Sequence, residues 1–476
     1  MVATIACSAT TASFDKAVAI TEVFGDGQQV TAVALHFTVP MDGAKLSISD
    51  FSVAELTPSQ LGNKPQDGSE YSRTERLVSK VYSSNSPEKA SEGQIGEWVI
   101  LELAQVYHYM PSGGGRGPQG GNRGQGGPGG PGGQGRVGGQ GGPGGQGGPR
   151  GGAGRVDPLP GKDALIASYK GITTVPSLMA EVTLVNPLVN AKGSSVEAPA
   201  EAILTSETIN LVVDDFVQLE YKDPVSEVPM AYNLYIPKDY DPAVKYPLVL
   251  FMPDMTVAGK ETTRTLTQGI GATIWATPKE QAKHPCFVLA PDYTSMIIND
   301  KWETNEYMDA TVHLIQDLQK EYPIDSNRIY TTGQSGGAML SFAIGHYYPD
   351  LFAGYLLMAG KWDETRVQNL VGKNMWIMCG EGDIGSFPSM NTIVGNLRKE
   401  GVQVSEAQWN GRSSAEDFSL LCKELDKENA PVRYTHFIKN TVFPDDEHLG
   451  GSEHLQSWRV TYTIEGARDW LFRQTK

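Results

Sequence analysis

Cysteine is scarce in this 476-residue sequence, and the four present, Cys7, Cys286, Cys379 and Cys422, lie far apart without metal-ligand spacing. That leaves buried free thiols as the expectation for three of them and argues against a disulfide framework in a chain long enough to bury large cores. Long apolar runs are missing too. No stretch approaches the roughly eighteen uncharged apolar residues of a membrane span, so no span is expected. Positive charge is in deficit, with 39 Lys and Arg against 55 Asp and Glu. The net charge of −16 excludes nucleic acid as the main partner, because phosphate binding needs a basic surface. Basic residues are also absent from the mildly apolar start MVATIACSATTASF, which makes it a poor signal peptide. The expectation is a cytoplasmic protein, secreted only if a leader has been trimmed.

What is present is a soluble globular composition, 39% hydrophobic and 20% charged, on a chain too long for one ordinary core. Two domains are therefore expected. Residues 113–155 are almost entirely Gly, Pro, Gln and Arg, with five arginines and no acid. Lacking apolar side chains to offset ordering entropy, this segment is expected to be disordered. Its glycines are too irregular for collagen. It reads as a tolerated loop insertion, with an arm touching anionic polymer as the rival role.

Around that insert the grammar is β. AVAITEVF, QQVTAVALHFTV, RLVSKVYS, EWVILELAQVY, LMAEVTLV and INLVVDDF are β-branched or alternating runs separated by turn residues, the pattern of an antiparallel sandwich. From about residue 214 buried strands such as YPLVLFMPD, CFVLAPD, RIYTTG and AGYLLMAG alternate with helical segments such as YMDATVHLIQDLQKEYP. That alternation predicts a parallel α/β sheet. The expected division is a sandwich over 1–213, holding the insert, and an α/β domain over 214–476.

Gly333-Gln334-Ser335-Gly336-Gly337 fits G-x-S-x-G between the strand RIYTT and the helix AMLSFAIG. Such an elbow exposes a serine hydroxyl above the sheet, and its neighbours must lack bulk. A glycine-rich turn without chemistry is the bland alternative. A serine nucleophile needs an imidazole base and an orienting carboxylate, in the order Ser, acid, His on an α/β-hydrolase fold. Asp383, just past the buried strand in WIMCGEGD, is the expected acid; Glu381 is the rival, read as a solvated loop residue. His454, placed just before the C-terminal helical segment, is preferred as base over His448 in the same polar loop. His436 alternates with apolar residues in VRYTHFIK and reads as structural. The oxyanion hole should combine the N–H of Gly336 with one from FMPDMTVAGKE, where Pro253 cannot donate and Met255 is the candidate. Asp254 is expected to turn away or cap that loop. Trp275, Trp302 and Trp362 are candidate pocket walls, though tryptophan is more often a packing residue.

On these stretches the chain resembles the bacterial EstA-type carboxylesterases with an N-terminal immunoglobulin-like domain. ITEVFGDGQQVTAVALHFTVPMDGAKLSISDFSV is similar to that group's sandwich opening. YNLYIPKDYDPAVKYPLVLFMPD, DSNRIYTTGQSGGAM and SEHLQSWRVTYTIEGARDWLF are similar to its hydrolase segments. The resemblance implies an α/β-hydrolase domain behind an immunoglobulin-like sandwich, with a Ser-Asp-His triad mapping to Ser335, Asp383 and His454. It implies ester hydrolysis through an acyl-enzyme, without metal or organic cofactor, on a small-molecule or polymer-attached ester. Pro253-Asp254 departs from the His-Gly pair common in such hydrolases. Rival readings are a serine peptidase of prolyl-oligopeptidase-like type, a feruloyl or polyester esterase, and a catalytically dead surface-binding protein. Fold does not choose among them. Roles open to the sandwich are shaping the substrate entrance, homo-oligomer contact, polymer binding and stabilising the hydrolase.

Overall fold

The computed structural model describes residues 14–61, 68–107, 158–196, 199, 201–446, 449 and 452–476. Cys7, the Gly-rich segment 113–155 and His448 lie outside them. The β-branched runs of the N-terminal region form two facing sheets, since such side chains pack well on a pleated surface. One sheet has the order Glu207–Asn210, Phe14–Phe24, Gly27–Met41, Gly96–Leu103, Val78–Ser84. The other has the order Ile203–Leu204, Met179–Leu184, Phe51–Pro58, Tyr71–Arg76. Val33, Leu35, Val53, Leu101 and Val182 fill the space between them. One pair departs from the expected antiparallel pattern: Glu207–Asn210 runs parallel to Phe14–Phe24. The chain returns along the sandwich edge before it leaves for the second domain.

That domain is a sheet of nine described strands: β1 (Phe216–Lys222), β2 (Pro229–Tyr235), β3 (Tyr246–Met252), β4 (Phe287–Pro291), β5 (Ile324–Gln334), β6 (Gly354–Met358), β7 (Met375–Gly380), β8 (Val404–Trp409) and β9 (Val432–Phe437). They lie in the order β1-β2-β4-β3-β5-β6-β7-β9-β8. The pairs β1-β2 and β2-β4 are antiparallel, and every other pair is parallel. The chain steps outward from β3 to β4 and then crosses back to β5. The topological switch point therefore lies at the carboxyl ends of β3 and β5, where an open α/β sheet has its crevice.

Both faces are covered, as continuous apolar strands require. One layer holds α1 (Glu306–Glu321), α2 (Gly336–Tyr347) and α3 (Ser386–Lys399), with Tyr307, Leu340 and Ile393 in its core. The other holds α4 (Ala415–Asp426), α5 (Glu453–Thr461) and α6 (Glu465–Phe472), with Phe418, Trp458 and Leu471. Residues 158–175 precede position 213, yet they pack on this second domain, whereas Leu178 already belongs to the sandwich core. The helix Lys162–Ser168 sends Leu165 into the α1–α3 core, and Thr173 and Val175 N–H groups donate to Thr262 and Thr263 hydroxyls. Cys286, Cys379 and Cys422 are buried free thiols. Among the described residues no helix is long and apolar enough to cross a membrane.

Candidate active site

At the end of β5 the chain turns sharply through Ser335, whose φ of 53° and ψ of −120° lie in the left-handed half of backbone space. A non-glycine residue rarely adopts that conformation, and it costs on the order of 1–3 kcal/mol unless the surroundings enforce it. The enforcement is visible. The Ser335 N–H donates to the Met358 carbonyl at 3.0 Å, tying the turn to β6. The flanking glycines admit backbone where a side chain would sit. A Cβ on Gly337 would lie 2.1 Å from the Met252 carbonyl oxygen, and one on Gly333 2.9 Å from the same atom. A Cβ on Gly336 would meet Met255 Cγ at 2.3 Å. The elbow is thus wedged against the loop that follows β3, the loop expected to hold the second oxyanion donor. Gly336 opens α2, whose first-turn N–H groups have no acceptor within the helix. Met255 begins the 3-10 turn Met255–Val257. Asp254 caps that turn, accepting from the Thr256 N–H at 2.8 Å and the Thr256 hydroxyl at 2.5 Å. Burial raises its carboxyl above the usual aspartate value against the opposing pull of those bonds.

Two further elements converge on the hydroxyl. Asp383 lies in the loop between β7 and α3, and His454 lies in the first turn of α5. The Ser335 Oγ stands 2.8 Å from His454 Nε2, and His454 Nδ1 stands 2.6 Å from Asp383 Oδ2. A carboxylate only accepts, so its partner Nδ1 carries the proton and Nε2 is left to accept from the serine. Asp383 is 5% exposed. Burial pushes its carboxyl up, but the hydrogen bond and charge of His454 and the bonds from Ser386 outweigh this and hold it below the usual aspartate value. These residues are some 120 positions apart at the extremes, and the fold brings them together at one sheet edge.

Other expected roles change. Helix α5 starts at Glu453, so His454 sits inside the helix rather than before it. Glu381 is not a solvated loop residue: it accepts from the Lys439 N–H at 3.1 Å, stands 2.9 Å from His436 Nδ1 and bonds the Gln408 amide. His436 is thereby engaged away from the serine. Trp275 and Trp362 are fully buried as packing residues of the two cores, and half-buried Trp302 packs on the Trp362 ring.

Two residues without a sequence-level signal complete the site. The Ser386 hydroxyl donates to the Ala359 carbonyl at 2.7 Å and lies 3.3 Å from His454 Nδ1, while its N–H donates to Asp383 Oδ1. Glu453 accepts from the Gly382 N–H at 2.8 Å. Ser386 stands three residues after Asp383 and outside any motif, and Glu453, though it directly precedes His454, matches no catalytic pattern. Among the described residues one cluster has metal-ligand character, Glu280, His284 and Asp469. Lys283 and Arg468 already pair with its carboxylates, which leaves little for a cation to neutralise.

The elbow, the switch point and the strand order define an α/β hydrolase behind an immunoglobulin-like sandwich. Comparison with known proteins bears on both parts. The family model described as "Esterase Ig-like N-terminal domain" matches residues 16–117. The chain is similar to a solved thermostable esterase at 25% identity and a TM-score of 0.69, covering 97% of this chain and 100% of that one. The N-terminal part thus matches the immunoglobulin-like domain of esterases, and the chain is similar to an esterase along nearly its whole length; it is a carboxylic ester hydrolase. Weaker likenesses include a feruloyl esterase module from Clostridium thermocellum (12% identity, TM-score 0.38, 53% of this chain and 87% of that one). Another is a putative dipeptidyl aminopeptidase IV from Bacteroides ovatus (14%, TM-score 0.34, 61% and 41%). No curated protein sequence matches.

Proposed function

We propose that the esterase acts through a covalent acyl-enzyme on Ser335, with His454 as base and Asp383 as its orienting acid. Carrying this reading is one observation, the unbroken hydrogen-bonded run from Ser335 Oγ through both imidazole nitrogens to Asp383 Oδ2, at 2.8 and 2.6 Å. Attack by Oγ on an ester carbonyl transfers the hydroxyl proton to Nε2, and Asp383 stabilises the imidazolium that forms. His454 then protonates the departing alkoxide. Water, deprotonated by the same nitrogen, attacks the acyl-enzyme and releases the acid and the free serine. The oxyanion formed in both steps would be met by the N–H of Gly336 at the start of α2, with Met255 as the proposed second donor. No metal or organic cofactor enters these steps.

The test is turnover of p-nitrophenyl acetate and butyrate by Ser335→Ala, with fluorophosphonate labelling of the wild type. The variant should lose on the order of 10³-fold or more in kcat/KM, and the label should sit on Ser335. Wild-type rates in the variant would remove the serine from its role.

A further inference from the structure

We propose that Glu453 is a positioning residue for the hydrolytic site, a buried carboxylate that sets the distance between the base and its acid. It deepens the Ser335–His454–Asp383 reading and rests on it. Glu453 is the first residue of α5 and is 6% exposed. Its Oε2 accepts from the Gly382 N–H and its Oε1 from the Asn440 N–H, each at 2.8 Å. Gly382 is the neighbour of Asp383 in the chain, and Glu453 is the neighbour of His454. One side chain therefore ties together the residues adjoining the two members of the 2.6 Å Asp383–His454 bond. The second bond adds the loop after β9, where Asn440 holds φ at 70°, a left-handed conformation that asparagine tolerates.

The fit is close on the loop side. A Cβ on Gly382 would come within 2.0 Å of Glu453 Oε1, and one on Gly380 within 2.9 Å of Oε2. Helix stability alone does not account for this. An acid in the first turn serves the helix dipole equally well from an exposed position, whereas a buried carboxylate must be repaid by its hydrogen bonds. Here those bonds go to two loops that no helix cap needs, and one of them carries Asp383. Contact with substrate is not part of the role.

The experiment measures kcat and KM for p-nitrophenyl acetate on the full chain in Glu453→Gln, in Gly382→Ala, which attacks the same clamp from the loop side, and in Asp383→Asn with and without Glu453→Gln. Displacement of an imidazole–carboxylate pair by about an ångström should cost about 10²-fold in kcat, with KM within about twofold of wild type. In the Asp383→Asn background Glu453→Gln should add less than about threefold, because its effect runs through a bond already lost. A kcat within about threefold of wild type in both single variants overturns the proposal. So does full additivity with Asp383→Asn, or global unfolding of Glu453→Gln by circular dichroism, which would make the residue a support of the whole fold. Wild-type activity in Ser335→Ala and Asp383→Asn would bring down the underlying reading and this proposal with it. Loss in those two and none in Glu453→Gln sinks the proposal alone.

Discussion

At the residue scale, four acids near the same sheet edge have been given different work by their surroundings. Glu381 holds His436 and a loop, Asp254 caps a turn, Glu453 joins two loops, and Asp383 faces the imidazole. Asp383 and Glu381 are separated in sequence only by Gly382, and the choice between them was legible because the later position lies further beyond the strand. Their hydrogen bonds were not legible, since His436, Lys439 and Ser386 come from other elements. The Asp383 carboxyl has a measurable consequence. Its folded pKa lies below the usual value, so the ionised group contributes stability above the unfolded pKa of about 3.9 and loses it as pH falls through the folded value. Asp383→Asn cannot titrate. The stability difference between wild type and Asp383→Asn, read from urea midpoints, should therefore move against the wild type between pH 6 and pH 3, by an amount set by the shift. A difference independent of pH would mean that the carboxyl is not held by these bonds. In the same variant, esterase kcat should fall about 10³-fold or more, because the amide permits the wrong imidazole tautomer.

At the element scale, the strand–turn–helix at 324–347 is where sequence and structure agree most closely. G-x-S-x-G is a local pattern: the residues that must be small are adjacent to the residue that must be exposed. Parallel pairing of Glu207–Asn210 with Phe14–Phe24 is non-local, and nothing in four residues of mixed polarity announces a partner nearly 190 positions away. The onset of α5 escaped for a related reason. Ser452 makes no side-chain cap bond, so the usual marker of a helix start is silent there. The elbow geometry supports a sharper expectation. At Gly337 an added methyl would overlap two carbonyl oxygens, of Met252 and Pro253, at 2.1 and 2.7 Å. Both are backbone atoms at the end of β3, a central strand that cannot retreat. Gly337→Ala should destabilise the protein by about 3 kcal/mol or more, seen as a lowered thermal midpoint together with lost fluorophosphonate labelling. A midpoint within a degree of wild type would show that α2 can slide on β3, which the strained turn at Ser335 could not survive.

At the scale of the whole molecule the question is what the sandwich does for the hydrolase. One contact is made by the tip of the hairpin joining Phe14–Phe24 to Gly27–Met41, and Tyr107 makes another, its ring lying against the Arg459 guanidinium. Gly25 at the hairpin tip lies so close to α5 that a Cβ would fall 2.4–2.6 Å from Arg459 Cγ, Cα and Cβ, and a Cβ on Gly269 would lie 3.3 Å from the Gly25 carbonyl. The sandwich therefore touches the helix that carries His454, one and a half turns beyond it. Two roles follow from that touch and they separate experimentally. If the hairpin only supports the helix, its loss is felt as stability. If it aims the imidazole, its loss is felt as rate. The first turn of α5 is already held independently, by Asp383 on His454 and by the two loop N–H groups on Glu453. Arg459 is held too, by its bond to the Val442 carbonyl at 2.6 Å. Those anchors belong to the hydrolase domain and do not depend on the sandwich. Gly25→Ala should accordingly lower the calorimetric midpoint by a few degrees, or split one transition into two, while kcat for p-nitrophenyl acetate stays within about threefold of wild type. A tenfold fall in kcat at an unchanged midpoint would reverse the assignment, because the base would then owe its position to a domain that contributes none of the three groups it works with.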